Sequence, residues 1–414
     1  MRIKLFQLII LAIALGACVK YPVVPIPTDD QYTIMPDTHP LNDASKGIIE
    51  GLYAVSDGSS RFGEQVVLKF NKAGLAIDCS NGEYCCLEAG SLDSVIFLQG
   101  YWRYAMGTES GLVTIRIKPN EGGSDILAGR IPGMIIIRGA FGDKPGIIDQ
   151  PLTLQFIRPV SEAAKNSKFI ILANYGGGRN TDGLPVSENS IEMLKFTQRF
   201  GTMGVEIDIH VSADGVPFLY HDDDINIRLC QKGPIEGQID NYTWQELSTY
   251  LRLVHGEQIP SLQSALDFVL DSTDMKFVWL DLKVSNNAAA KVIPIQMAIL
   301  ARAKQMGRDL QIVYGCPSDA VITDFMSYPG YQDIPSLCEL SIDDVEKINA
   351  HAWGPRWTEG EQQAGLQQIH TEGRIGITWT LDDMSYIQKY ITEADFDGFL
   401  TNYPCLVAYY HYIR

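Results

Sequence analysis

Apolar and polar positions follow two different rhythms along this chain. Between residues 45 and 158, short apolar or alternating runs recur at 47–54, 65–70, 95–98, 112–117, 134–138 and 152–156. Turn signals separate them: Asp57-Gly58, Asn81-Gly82, Glu121-Gly122-Gly123 and Gly142-Asp143. That rhythm predicts a small all-β domain over 45–160, an antiparallel barrel or sandwich, to which no role attaches. Past 159–167 strand-like runs alternate with helical ones. Strands are predicted at 169–173, 204–209, 217–220, 277–282, 310–314, 335–340, 375–380 and 398–401. Helices are predicted at 188–200 behind Ser187, 262–270 behind Ser261, 288–306, 361–370 and 382–392. Eight parallel-type strands with helices between them predict an α/β fold, a (β/α)8 barrel of the TIM type over 165–414. A doubly wound sheet competes, but Gly176-Gly177-Gly178 lacks the spacing of a dinucleotide-binding turn.

One strand carries unusual chemistry. In Val205-Glu206-Ile207-Asp208-Ile209-His210, alternation sends Glu206, Asp208 and His210 to one face and three aliphatics to the other. Two carboxylates and an imidazole on one face of an apolar strand are costly unless they share a cation, a proton or water. His221 follows at the end of the next run. That spacing can hold a metal and a proton-transfer group close together. Other polar residues also fall at predicted strand ends, Asp281, Lys283 and Trp379 among them, and in a (β/α)8 barrel the active site lies on that face. His210 reads as a hydrogen-bonding lumen residue, while His351, His370 and His411 read as surface or loop positions. Gly100-Tyr101-Trp102 weakly resembles a lipocalin motif, and a core tryptophan is the better reading.

Composition narrows the partners. The net charge of −17 argues against nucleic acid or anionic headgroups as main partners and leaves a metal to supply positive charge to a phosphate. Residues 1–18 read as a signal segment, with Arg2 and Lys4 before an apolar run too short to span a bilayer. Its end, Leu15-Gly16-Ala17-Cys18, resembles a bacterial lipobox in which Cys18 is lipidated. Residues 19–44, rich in proline, form an extended tether. These features predict a lipid-anchored protein of the bacterial cell envelope, facing the periplasm or the surface. Cys79 is placed to bridge to Cys85 or Cys86 in an exported protein, whereas Cys230, Cys316, Cys338 and Cys405 read as buried thiols.

Residues 168–283 and 374–404 resemble the glycerophosphodiester phosphodiesterase family, among the phospholipase C-like phosphodiesterase barrels. The resemblance is carried by Ser187-Glu188-Asn189-Ser190, Glu206-Ile207-Asp208, Asp214-Gly215-Val216-Pro217, His221-Asp222, Arg228, Asp281-Leu282-Lys283, Trp379-Thr380 and Thr401-Asn402-Tyr403-Pro404. It implies metal-dependent hydrolysis of small phosphodiesters. Glu206, Asp208 and Asp281 would ligate a divalent cation, Ca²⁺ or Mg²⁺. His221 would exchange protons, Lys283 would bind phosphate and Trp379 would wall the glycerol carbons.

This chain departs from the family twice. Asp281 stands where a Glu is usual. Asn174-Tyr175-Gly176 stands where the family has His-Arg-Gly, so Asn174 occupies a catalytic position and Tyr175 a substrate-binding one. An amide carries no proton at neutral pH, which implies altered or weakened catalysis. Tyr175, Arg179 and His255 are candidate substitutes. The alternative is a non-catalytic cell-surface protein that uses the barrel to bind a ligand.

Overall fold

The computed structural model describes residues 38–72, 74–143 and 147–414. Cys18, the signal segment and most of the tether lie outside them. The extended stretch expected to reach residue 44 ends sooner: His39–Pro40 pairs with Ser91 and Gly90, and a helix capped by Asn42 spans Asp43–Ile49.

The first domain is a closed barrel of eight antiparallel strands rather than a sandwich. The strands are β1 (Gly51–Asp57), β2 (Gln65–Asn71), β3 (Gly74–Cys79), β4 (Glu83–Leu92), β5 (Val95–Tyr104), β6 (Ser110–Ile117), β7 (Ile136–Phe141) and β8 (Gln150–Arg158). Each pairs with the next, and β8 returns to β1. Closure leaves no long sheet edge. Alternation sends Val66, Leu68, Ile77, Leu98, Trp102 and Ile115 inward. The Trp102 indole donates to the Gly142 carbonyl at 2.9 Å beneath the Arg61 guanidinium, so this tryptophan belongs to the core.

The expected Cys79 bridge does not form. Cys79, Cys85 and Cys86 are free and buried. Strand register decides this: Ile77, not Cys79, stands opposite Cys85, and Ala76 stands opposite Cys86.

The second domain is the predicted parallel barrel, with strands β9 (Ile170–Ala173), β10 (Gly204–Val211), β11 (Phe277–Leu282), β12 (Gln311–Cys316), β13 (Ser336–Cys338), β14 (Ala352–Trp353), β15 (Ile375–Thr378) and β16 (Gly398–Thr401). Pairing of β9 with both β10 and β16 closes it. One of the expected strands needs correction, and one barrel strand was not expected. The run at 217–220 is a strand, Pro217–Leu219, but it folds back antiparallel on β10, with Ile209 opposite Leu219. The few residues after β10 form a tight turn through Gly215 at φ 86°, too short for a parallel crossover. The eighth barrel strand is instead β14, whose two residues give no periodic signal.

Aliphatic residues of β10 and β11, such as Ile207 and Leu280, pack outward against helices, while Leu172, Phe277, Trp279 and Val313 fill the lumen. Ser261 caps the helix Leu262–Ser272 as expected. The helix after β9 starts later than expected, at Ile191 behind Ser190. His411, expected near the surface, is buried against Phe169. The domains share a buried cluster that includes Tyr101, Met193 and Phe200. Arg103 of β5 donates to the carbonyls of Asp182 and Gly183, which anchors the loop that follows Asn174 and Tyr175.

Candidate active site

Register brings the carboxylates together. On the adjacent parallel strands β10 and β11, Asp208 stands directly opposite Asp281, and Glu206 lies one inward position below, opposite Trp279. Carboxylate oxygens of Glu206, Asp208 and Asp281 all lie within 4.8 Å of one another. Asn189, in a left-handed backbone conformation at φ 55°, fixes Asp208 from both sides. Its amide nitrogen donates to Asp208 Oδ2 at 2.5 Å, and its oxygen accepts from the Asp208 backbone N–H at 3.1 Å. The Tyr175 backbone N–H donates to Glu206 Oε2 at 2.9 Å.

Two buried carboxylates and a partly buried third against one ammonium leave excess negative charge. Lys283 Nζ lies 2.7 Å from Asp208 Oδ1 and pairs with Asp281 as well. Glu206 Oε1 and Asp281 Oδ1 are buried and accept no hydrogen bond. Burial, with the charges of Asp208 and Asp281 behind it, pushes the Glu206 carboxyl well above its ordinary range. Burial also raises Asp281, against the pull of Lys283. A proton or a divalent cation relieves such a cluster, and an anionic all-oxygen donor set suits a hard cation.

The antiparallel run delivers the imidazole. Tyr220 N–H donates to the Asp208 carbonyl at 3.1 Å, so the returning chain sets His221 beside the carboxylates. His221 Nδ1 lies 2.6 Å from Asp222 Oδ1, and Arg228 ties Asp222 at 2.6 Å to Glu188 at 3.0 Å. The His221 ring meets Tyr175 edge-on at 5.0 Å.

A cavity of about 550 Å³ opens over these groups. Its lining includes every site residue expected within the described chain: Asn174, Tyr175, Glu206, Asp208, His221, Asp281, Lys283 and Trp379. Asn174 donates to Asn402 Oδ1 at 3.1 Å, which orients its amide. Burial and the carboxylates push the Tyr175 phenol up to about 12. The other proposed substitutes lie elsewhere. Arg179 is bound to Asp182 and Tyr403, and His255 donates its backbone N–H to Ser187 Oγ; neither lines the cavity. His210 does not line the cavity; its Nδ1 lies 2.9 Å from Asp240 and its ring stacks on Phe218.

Three contributors escaped sequence reasoning. Asn189 stood within a recognised motif without a role. Glu339 directly follows β13, where its polar position after an apolar run was an available signal. Arg356 follows the overlooked strand β14 and stacks 4.5 Å above the Trp379 ring.

The model of the glycerophosphoryl diester phosphodiesterase family matches residues 176–406, beginning just after Asn174-Tyr175. Among solved structures, a glycerophosphodiester phosphodiesterase from Parabacteroides distasonis is 20% identical and covers 58% of this chain and 95% of its own, with a TM-score of 0.45. An Oleispira antarctica phosphodiesterase, solved with the product sn-glycerol-3-phosphate, is 20% identical over 57% of this chain and 94% of its own, with a TM-score of 0.46. A glycerophosphodiester phosphodiesterase from Thermotoga maritima is 19% identical over 57% and 96%, with a TM-score of 0.41. No match was found among curated proteins.

Proposed function

The chain belongs to the glycerophosphoryl diester phosphodiesterase family, a family of phosphoric diester hydrolases, and from that premise we propose that it hydrolyses small glycerophosphodiesters with the help of Ca²⁺ or Mg²⁺. The observation that carries this reading is the convergence of Glu206, Asp208 and Asp281 beneath a cavity that His221 also lines.

The three carboxylates would hold the cation, which when bound neutralises phosphate charge and acidifies an attacking hydroxyl or water. His221 takes the proton of the attacking oxygen. Asp222 accepts from Nδ1–H, which leaves Nε2 as the base. Lys283 holds a phosphate oxygen as a fixed charge, and Trp379 walls the glycerol carbons. Asn174 orients the substrate by hydrogen bonds and transfers no proton, so its side of the reaction runs differently from the family pattern.

Purified protein supplied with Ca²⁺ or Mg²⁺ is expected to release glycerol phosphate from glycerophosphocholine or glycerophosphoethanolamine, and chelation is expected to stop it. Folded protein that turns over neither ester with either cation would overturn the proposal. A second reading, a cation-dependent binder without turnover, is favoured by the Asn174–Asn402 bond, which ties up an amide where a proton carrier is expected. Calorimetry showing ligand uptake without product identifies that case. In the same proposal the lipobox-like Cys18 anchors the protein in the cell envelope, and C18A is expected to shift it from the membrane to the soluble fraction.

A further inference from the structure

Resting on the hydrolase reading above, we propose that Glu339 is the acid that protonates the leaving alcohol, the role Asn174 cannot perform. Position is the first argument. Glu339 follows β13, which is separated from β10 by β11 and β12 on one side of the barrel. His221 is carried back along β10 on the opposite wall, with Tyr175 beside it. Both Glu339 and His221 line the one cavity. In-line displacement at phosphorus needs its base and its acid on opposite sides, and these two walls supply them.

The state of the carboxyl is the second argument. Glu339 Oε1 is buried and has no hydrogen-bond partner, although it faces a polar cavity. A buried carboxyl without a partner is stable only with its own proton or with a donor brought by the substrate. The charged groups around it are Asp281 and Lys283 from the end of β11 and Arg356 from the segment after β14.

The step balances without a further reactant. The attacking oxygen bonds to phosphorus as its proton passes to His221 Nε2. The bond from phosphorus to the alcohol oxygen breaks, and the departing electron pair takes the Glu339 proton. A neutral alcohol leaves, and water returns a proton from His221 to Glu339.

The test compares two esters of glycerol 3-phosphate, one with ethanolamine and one with p-nitrophenol as the leaving group. Nitrophenolate leaves without protonation. E339Q is expected to lose about 100-fold or more in kcat on the ethanolamine ester and less than about fivefold on the nitrophenyl ester. It should also lose the alkaline limb of the wild-type pH profile for the ethanolamine ester. E339D, which keeps an acid on a shorter stem, is expected to recover at least about tenfold over E339Q on that ester. Equal losses on both esters, or no loss on either, would overturn the assignment while leaving the hydrolase reading intact. Failure of the wild type on both esters instead brings down both.

Discussion

Lys283 Nζ sits 2.7 Å from Asp208 Oδ1, and the same ammonium pairs with Asp281, so one partly buried cation spans two neighbouring strands. Burial works against that charge, yet Asp208, Asp281 and Glu206 together raise the ammonium pKa above its usual value. K283M strands the carboxylates and is expected to cost about 3–5 kcal/mol in the presence of chelator. Saturating Ca²⁺ or Mg²⁺ should then stabilise K283M more than the wild type, as read from urea midpoints with and without cation. Identical cation responses in the two proteins would show that no ion enters the cluster.

Asp222 controls the orientation of His221. Burial opposes its charge, but bonds from Arg228, His221 and Asn226 prevail and hold the carboxyl at about 2. It therefore remains ionised across any working pH. D222N keeps the shape but replaces the acceptor facing Nδ1, and is expected to lower kcat about 100-fold with little change in unfolding temperature. Loss of folding together with activity would make Asp222 a structural residue only.

His411 makes the fold acid-sensitive. It is fully buried against Phe169, and burial, helped by the Arg414 charge, lowers its pKa to about 4. The native imidazole stays neutral where the unfolded one, near 6.5, takes up a proton. Stability attributable to this group is therefore complete above about pH 6.5 and falls as the pH drops toward about 4. H411L should remove that part of the slope, seen as a smaller loss of urea midpoint between pH 7 and 4.5 than in the wild type.

Asn174 tests how the acid role is distributed. If Glu339 supplies the proton, N174H should change wild-type turnover of the ethanolamine ester by less than about threefold, yet raise that of E339Q by about tenfold or more. A large gain in the wild type background would show that the amide leaves the reaction short of an acid.

Much of this site is visible in one dimension because carboxylates on an apolar strand need a reason. Glu206 and Asp208 stand out among Val205, Ile207 and Ile209 by alternation alone, and Asp281 and Lys283 do so at the end of another apolar run. The antiparallel turn at 211–217 was equally open to reading, since its length rules out a crossover helix. The run at 217–220 nonetheless reads as a barrel strand, because apolar content does not encode direction. Strand β14 offered too few residues for any period. Register between β3 and β4 likewise parted Cys79 from its presumed partners, which spacing along the chain does not reveal.

Alternation and composition, then, settled by themselves that this chain makes a β domain followed by a parallel barrel with acidic strand ends, because side-chain direction in a strand is a local property. Which of those ends meet was left to tertiary structure: strand pairing sets Asp208 against Asp281, and the lumen sets Glu339 across from His221. Distances across a barrel depend on closure of the whole sheet, a non-local condition that no window of sequence contains.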